Sequence, residues 1–249
     1  MTKEELINSL KTLSLTPYYF EEIDSTNTYA KSALLTDSSI VIAEYQTAGR
    51  GRFNRHWLGD PGKNVLVTIV KKMDVELHNS YLINFYTSYI VLETLKLFIR
   101  DAESISLKWP NDVLIKNKKV AGILSEVFEK KFIIGVGINV NQVSFPEELK
   151  DKASSLFLVE GKEVSVNSVI YSFAEKFLSA LWLLKMPVEL MKMWKSAFHL
   201  EGREITYSIT GGERKTAIIV GVDDDGGLVV TEEGVKKKYY TGEITDFRG

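Results

Sequence analysis

The stretch SISLKWPNDVLIKNKKVAGILSEVFEKKFIIGVGINV, residues 104–140, reads as an antiparallel meander. Ser104–Trp109, Asp112–Ile115, Lys119–Phe128 and Phe132–Val140 are rich in apolar and β-branched residues. Asn117-Lys118 and Glu129-Lys130 fall where tight turns would join them. Upstream, Ser39–Tyr45 and Asn64–Val70 read as two further strands. Ser80–Arg100 carries apolar residues around most of a helical circumference, so it is expected to lie across the sheet with little exposure. The capping cluster Asp24-Ser-Thr-Asn-Thr28 leads into a helix-compatible Tyr29–Leu35, and residues 3–11 make a short amphipathic helix. Downstream, helices are expected over 166–184 and 187–199, with Pro187 at a first turn.

The pattern changes after Gly202. Runs at 204–210, 215–221, 227–231 and 235–240 are separated by Gly211-Gly212, Asp223-Asp-Asp-Gly-Gly227 and Glu232-Glu-Gly234, which suggests a small β-barrel. The whole is an α+β chain. A mixed or antiparallel sheet backed by helices fills residues 1–200, and the barrel fills 201–249.

A hydrophobic fraction of 45% over 249 residues supports a sizeable core, and a net charge of −2 gives no general attraction to nucleic acid or anionic membrane. With no cysteine, disulfides, thiolate catalysis and cysteine-bound zinc are excluded. His56, His78 and His199 have no metal-ligand spacing. The N-terminus is polar and acidic rather than signal-like, and the apolar run 81–99 is interrupted by Asn84, Thr87, Ser88, Glu93 and Lys96. The expected location is the cytoplasm, with no membrane partner.

Chemistry concentrates in two segments. After the strand ending near Tyr45 come Gln46 and then Gly49, Arg50, Gly51, Arg52, Arg55 and Trp57. Guanidinium forks and backbone N–H groups on such a loop suit phosphate or carboxylate oxygens, although the spacing is neither a P-loop nor a dinucleotide fingerprint. Lys108-Trp-Pro-Asn-Asp112 adds a lysine, an indole, Asn111 and a carboxylate. Trp109 reads as core, whereas Asp112 is placed to orient a guanidinium or help hold a metal–phosphate unit. Lys118 reads as hairpin-edge charge. Lys119, leading into Ala121-Gly122, can neutralise a carboxylate and the charge on a phosphoryl group under attack. Ser25, Thr26 and Asn27 serve equally as a helix cap or as contacts for a urea or amide head group. Asn139 could read a base edge, and Gly135 and Gly137 would let a ligand pack against the sheet.

Taken together, Ser25-Thr-Asn27, Gln46 with Ala48-Gly-Arg-Gly-Arg52, Lys108–Asp112, Lys119–Leu124 and Gly135–Asn139 resemble the biotin–protein ligase family in order and separation. The resemblance covers about residues 18–249. It implies a class II synthetase-like fold with an SH3-like C-terminal barrel. It also implies ATP-dependent formation of biotinyl-5′-AMP, then transfer to a lysine of a biotin carboxyl carrier domain, with Mg²⁺ on the nucleotide. By that likeness Ser25, Thr26, Asn27, Gln46, Gly49, Arg50, Gly51, Arg52, Lys119, Gly122 and Gly137 would contact biotin. Arg50, Arg52, Arg55, Trp57, Lys108, Asn111, Asp112, Lys119 and Asn139 would contact ATP or the adenylate, and Lys119, Arg52 and Asp112 would be catalytic. No dedicated metal ligands are expected, Asp112 being the nearest approach to one.

The family loop usually continues Gly-Arg-Gly-Arg-Arg-Gly-Arg, and Phe53-Asn54 here replace Arg-Gly. About 17 residues precede the first matched segment, too few for a helix-turn-helix module, so the resemblance implies a stand-alone ligase that does not bind DNA. Family members often form homodimers. The competing readings are a lipoate–protein ligase and a biotin-sensing transcription regulator.

Overall fold

The computed structural model describes residues 1–73, 75, 80–209 and 212–248. His78, Thr210, Gly211 and Gly249 therefore lie outside the described residues. Chain order begins α1 (Lys3–Thr12), β1 (Thr16–Ile23), α2 (Thr26–Ser32), β2 (Ser39–Gln46), β3 (Asn64–Lys71) and α3 (Tyr81–Leu95). The meander follows as β4 (Ile105–Lys108), β5 (Asp112–Ile115), β6 (Lys118–Phe128) and β7 (Lys131–Asn139). Helices α4 (Leu156–Glu160), α5 (Val166–Ser179) and α6 (Pro187–Ser196) lead to β8 (Glu204–Ser208), β9 (Lys215–Val222), β10 (Leu228–Glu232), β11 (Val235–Tyr239) and β12 (Glu243–Arg248).

The main sheet runs β1-β2-β3-β7-β6-β5-β4. Only β1 and β2 pair in parallel; the other neighbours are antiparallel, with Asn64 opposite Asn139 and Gly122 opposite Gly137. β3 is buried along nearly its whole length, as a central strand covered on both faces must be. One face is covered by α3, which packs in turn on α5 and α6, with α1 against α5. Trp194 Nε1 donates to Ser88 Oγ at 2.9 Å, and Tyr86 donates its hydroxyl to the Phe177 carbonyl, so the polar tips of these buried aromatics are satisfied. The other face carries α2. Ala30 and Leu35 close over Val41, Val70 and Ile133 in a small separate cluster, which fixes α2 above β2, β3 and β7.

The second sheet has the order β11-β10-β9-β8-β12, antiparallel throughout. It contains the four expected runs and a fifth strand, β12, which pairs back with β8. Trp109 is buried, and its Nε1 donates to the Gly226 carbonyl at 2.9 Å, tying the meander to this second sheet. The 166–184 helix ends at Ser179 and continues as a 3-10 turn over Leu181–Lys185. Among the described residues, no helix is long and apolar enough to cross a membrane.

Candidate active site

The ends of β2, β5, β6 and β7 converge with the arginine loop on the α2 face around a cavity of about 450 Å³, a size suited to a small-molecule ligand. All the residues expected from sequence line it, apart from Gly49.

The loop folds as a tight hairpin. Gly51 N donates to Arg55 O at 2.7 Å and Trp57 N to Gly49 O at 2.9 Å, with a 3-10 turn at Arg52–Asn54 between them. Gly49 is indispensable to this closure, because a Cβ there would lie 2.8 Å from the Trp57 carbonyl and 2.9 Å from Gln46 Nε2. The three arginines diverge. Arg50 Nη2 donates to Thr28 Oγ1 at 2.9 Å, Arg52 Nη1 to Gly242 O at 3.1 Å and Asn111 Oδ1 at 3.4 Å, and Arg55 Nη1 to Glu243 Oε1 at 2.6 Å. Burial lowers the Arg52 guanidinium from its ordinary value, opposed by the charges of Asp112 and Glu243.

Asp112 is the electrostatic hub. Its carboxylate is buried, with Lys119 Nζ 2.7 Å from Oδ1 and Lys108 Nζ 3.2 Å from Oδ2. Burial alone would push its carboxyl up. Lys119 and Lys108 outweigh that and hold it below the usual carboxylate range. Its direct ion-pair partners are two lysines, and its charge also acts on the Arg52 guanidinium. Both oxygens face ammonium groups, and among the described residues no group of three or more His, Cys, Asp or Glu is arranged to hold a metal.

Lys119 also lies 5.5 Å from the Trp57 ring centroid. The indole rests on the sheet itself, since a Cβ on Gly137 would fall 2.5 Å from Trp57 Cε2 and one on Gly122 3.0 Å from Trp57 Cζ3. The glycines expected to admit a ligand thus admit protein side chains: Gly137 takes Trp57, and Gly135 takes Asn27, whose Oδ1 would be 2.4 Å from a Cβ there.

At the opposite end the polar residues knit together. Ser25 caps α2, accepting from Thr28 N. Thr26 N and Oγ1 lie 2.7 and 3.0 Å from Gln46 Oε1. Asn27 does not point freely into the cavity. Its Nδ2 donates to Leu124 O at 3.2 Å and Glu126 Oε2 at 3.0 Å, while its Oδ1 lies 2.6 Å from Thr68 Oγ1. Asn111 and Asn139 are likewise anchored, donating to Ile123 O at 2.7 Å and Ser154 O at 3.0 Å. Lys118 sits at the hairpin edge as read from sequence, donating to Lys150 O at 3.1 Å.

Sequence reasoning missed the contribution of the second sheet. Gly242 O receives Arg52, Glu243 receives Arg55, and Ile244 O receives Lys108 Nζ at 3.1 Å. Two of these acceptors are backbone carbonyls, for which no residue type is a signal. Phe53, with φ 54° and its ring 5.0 Å from the Arg52 guanidinium, was noted only as a departure, and Thr68 and Glu126 were not singled out.

Residues 19–142 match the family described as biotin/lipoate A/B protein ligase, and residues 202–245 match the biotin protein ligase C-terminal domain. The bifunctional ligase/repressor BirA of Bacillus subtilis is 31% identical over 222 residues, a match spanning 82% of this chain and 65% of that relative. The biotin–[acetyl-CoA-carboxylase] ligase of Mycobacterium tuberculosis is 29% identical, over 88% of this chain and 83% of its own length. Among solved structures, the biotin protein ligase from Aquifex aeolicus in complex with biotin and ATP superposes with a TM-score of 0.79 at 29% identity, covering 94% of this chain and 98% of that one. With both sheets, the arginine loop and the Lys108–Asp112 segment in the arrangement described, the chain belongs to the biotin/lipoate protein ligase family.

Proposed function

We propose that this chain is an ATP-dependent biotin–protein ligase. The observation that carries the reading is the polarity of one continuous cavity: hydroxyls and an amide at one end (Thr26, Gln46), and the cations Arg52, Lys108 and Lys119 around Asp112 at the other. A urea-bearing acid fits this division, its head group at the neutral end and its carboxylate among the cations.

In the first step a biotin carboxylate oxygen forms a bond to the α-phosphorus of ATP. The bond from that phosphorus to the bridging oxygen breaks, and pyrophosphate leaves with the electron pair. Two anions must approach, and Lys119 and Arg52 lower that repulsion and take up charge on the phosphoryl oxygens. Asp112 keeps Lys119 in place without entering the reaction. Mg²⁺ would arrive as the counter-ion of the nucleotide phosphates, and no step is assigned to a protein-bound metal.

In the second step the amine of a carrier-domain lysine attacks the acyl carbonyl, the carbon–oxygen bond to AMP breaks, and the amine loses its proton. The reading extends to residues 1–200 as the ligase unit, with 201–249 holding its arginines, and to a cytoplasmic homodimer. The C-terminal match, described for biotin protein ligases, favours biotin over lipoate.

Biotin-dependent exchange of labelled pyrophosphate into ATP tests the proposal, with lipoate and octanoate in parallel. Exchange with biotin alone is the expected result. Exchange with lipoate alone would overturn the head-group assignment, and silence with all three would overturn the ligase reading.

A further inference from the structure

Glu126 lies two residues beyond Leu124 on β6, on the sheet face that Gly122 and Leu124 present to the cavity. Its Oε2 accepts from Asn27 Nδ2 at 3.0 Å, and its Oε1 lies 2.8 Å from Lys31 Nζ on α2. The carboxyl is held below its ordinary value. Burial pushes it up, but the hydrogen bonds from Lys31 and Asn27 and the charges of Lys31 and Arg50 outweigh that.

The chemistry of the neighbours fixes the direction of every bond along this chain. A backbone N–H can only donate, so the Gln46 amide meets Thr26 N with its oxygen, at 2.7 Å. A carbonyl and a carboxylate can only accept, so the Asn27 amide meets Leu124 O and Glu126 with its nitrogen. The Asn27 oxygen is thereby turned to Thr68, 2.6 Å away, and must take the Thr68 proton. The contact between Thr68 and Thr26 Oγ1, at 2.8 Å, is then left to the Thr26 proton, and Gln46 Oε1 depends on the Thr26 N–H. Gln46 Nε2, a pure donor, is the amide end that Thr26 leaves unused. The Glu126 carboxylate, together with the Leu124 carbonyl, therefore sets the hydrogen-bond polarity of Asn27, Thr68 and Thr26, while the Thr26 N–H sets that of Gln46.

We infer that Glu126 is a positioning residue for head-group recognition: with the Leu124 carbonyl it locks the orientation of the Asn27 amide, and through Thr68 and Thr26 the donors and acceptors offered to a ligand. The inference rests on reading this cavity as the biotin site. A cyclic urea presents one acceptor oxygen between two N–H donors, so a reversal of polarity along the chain would set like against like.

Calorimetric binding of biotin and of 2-iminobiotin tests this. The imino analogue replaces the acceptor oxygen with a proton-bearing nitrogen. Wild-type protein is expected to prefer biotin by about a hundredfold, since a site built for one hydrogen-bond pattern rejects the mismatch strongly. Glu126→Gln, whose amide can present either end to Asn27, should weaken biotin about tenfold and narrow that preference about tenfold, with ATP affinity within twofold of wild type and the melting temperature little changed. Glu126→Leu should do the same or more. Biotin affinity and preference both within twofold of wild type in the two variants would reduce Glu126 to a surface partner of Lys31. Parallel loss of ATP affinity would make its role a general structural one, and either result overturns the inference. If wild-type protein binds ATP but not biotin, it is the ligand assignment that fails.

Discussion

Replacing Asp112 by asparagine keeps the shape of the side chain and removes only its charge, leaving the ammonium groups of Lys119 and Lys108 facing a neutral amide where they had a carboxylate at 2.7 and 3.2 Å. At such distances and an effective dielectric near 20, each contact has a gross attraction of roughly 5 kcal/mol. Most of that offsets the cost of desolvating the charges. Deleting one partner of a buried ion pair costs about 3–5 kcal/mol. The Lys119 side chain is 34% exposed and can turn to water, which brings the expected loss to about 2–3 kcal/mol. Urea unfolding measures it. Because the folded-state carboxyl is held below its unfolded value near pH 4, its stabilisation is present above about pH 4 and fades as pH falls through the depressed value. Wild-type and Asp112→Asn stabilities should therefore converge in acid. Lys119, no longer tethered, should lose its place over the reacting phosphoryl group, and biotin-dependent pyrophosphate exchange should fall about ten- to a hundredfold. A stability loss below about 0.5 kcal/mol with exchange within twofold of wild type, or curves that diverge in acid, would refute the view of Asp112 as the anchor of this cluster.

Gly137→Ala would put a methyl 2.5 Å from Trp57 Cε2, so the indole should be expelled; a shift in tryptophan emission and at least about a tenfold rise in KM for biotin or ATP are expected, with overpacking costing about 1–3 kcal/mol. Glu243→Ala releases a largely exposed Arg55, so stability should change by less than about 1 kcal/mol while KM for ATP rises about two- to fivefold; a large loss in a urea melt would show that the pair is structural instead. Phe53→Gly exchanges a non-glycine residue at φ 54° for one suited to that backbone, and the strain relieved and the chain entropy lost are each about 1 kcal/mol. Its thermal melt should therefore match wild type, while loss of the ring beside Arg52 lets more acyl-adenylate escape, measurable as hydroxylamine-trapped biotin.

The meander was legible because β5, β6 and β7 are local, strongly apolar and separated by turns at Glu129-Lys130, as expected, and at Lys116-Asn117, one residue before the expected Asn117-Lys118; all four turn residues take positive φ. α3 was legible for the same reason, being apolar on every side. β1 was not: Thr16–Ile23 is an edge strand containing Pro17, Glu21 and Glu22, with mostly intermediate exposure and no alternation for a periodic reading to catch. β12 escaped because its partner β8 lies far back in the chain, and charged residues punctuate its short run. In the site, residue types announced the cations but not their partners. Arg52 and Lys108 end on the carbonyls of Gly242 and Ile244, whose positions come from the pairing of β12 with β8. Asn27 shows the converse. Its residue type suits a helix cap or a ligand contact equally, yet Thr68, Leu124 and Glu126, brought in from two strands, use its polar atoms.

Most of the cations at this cavity are held by the protein before any ligand arrives. Lys108 and Lys119 face Asp112, Arg55 faces Glu243, and Arg52 ends on a carbonyl and an amide oxygen. This answers a physical problem, since several bare charges around a half-buried cavity would repel one another and resist desolvation. It also shapes how a polyanion can bind. A triphosphate that evicted Asp112 would have to replace two close ion pairs, whereas one that leaves Asp112 in place finds its lysines fixed at little further cost in side-chain entropy. Arg50 is differently placed, its guanidinium donating to the neutral hydroxyl of Thr28 and lying on the exposed side of the loop. Moving toward an incoming anion breaks a neutral hydrogen bond and weakens a longer-range attraction to Glu126, with no close ion pair to replace among the contacts described. In the proposed reaction the arrangement divides the work, with partly buried cations preset for the phosphoryl group and an outer arginine placed to close on the ligand after it has entered.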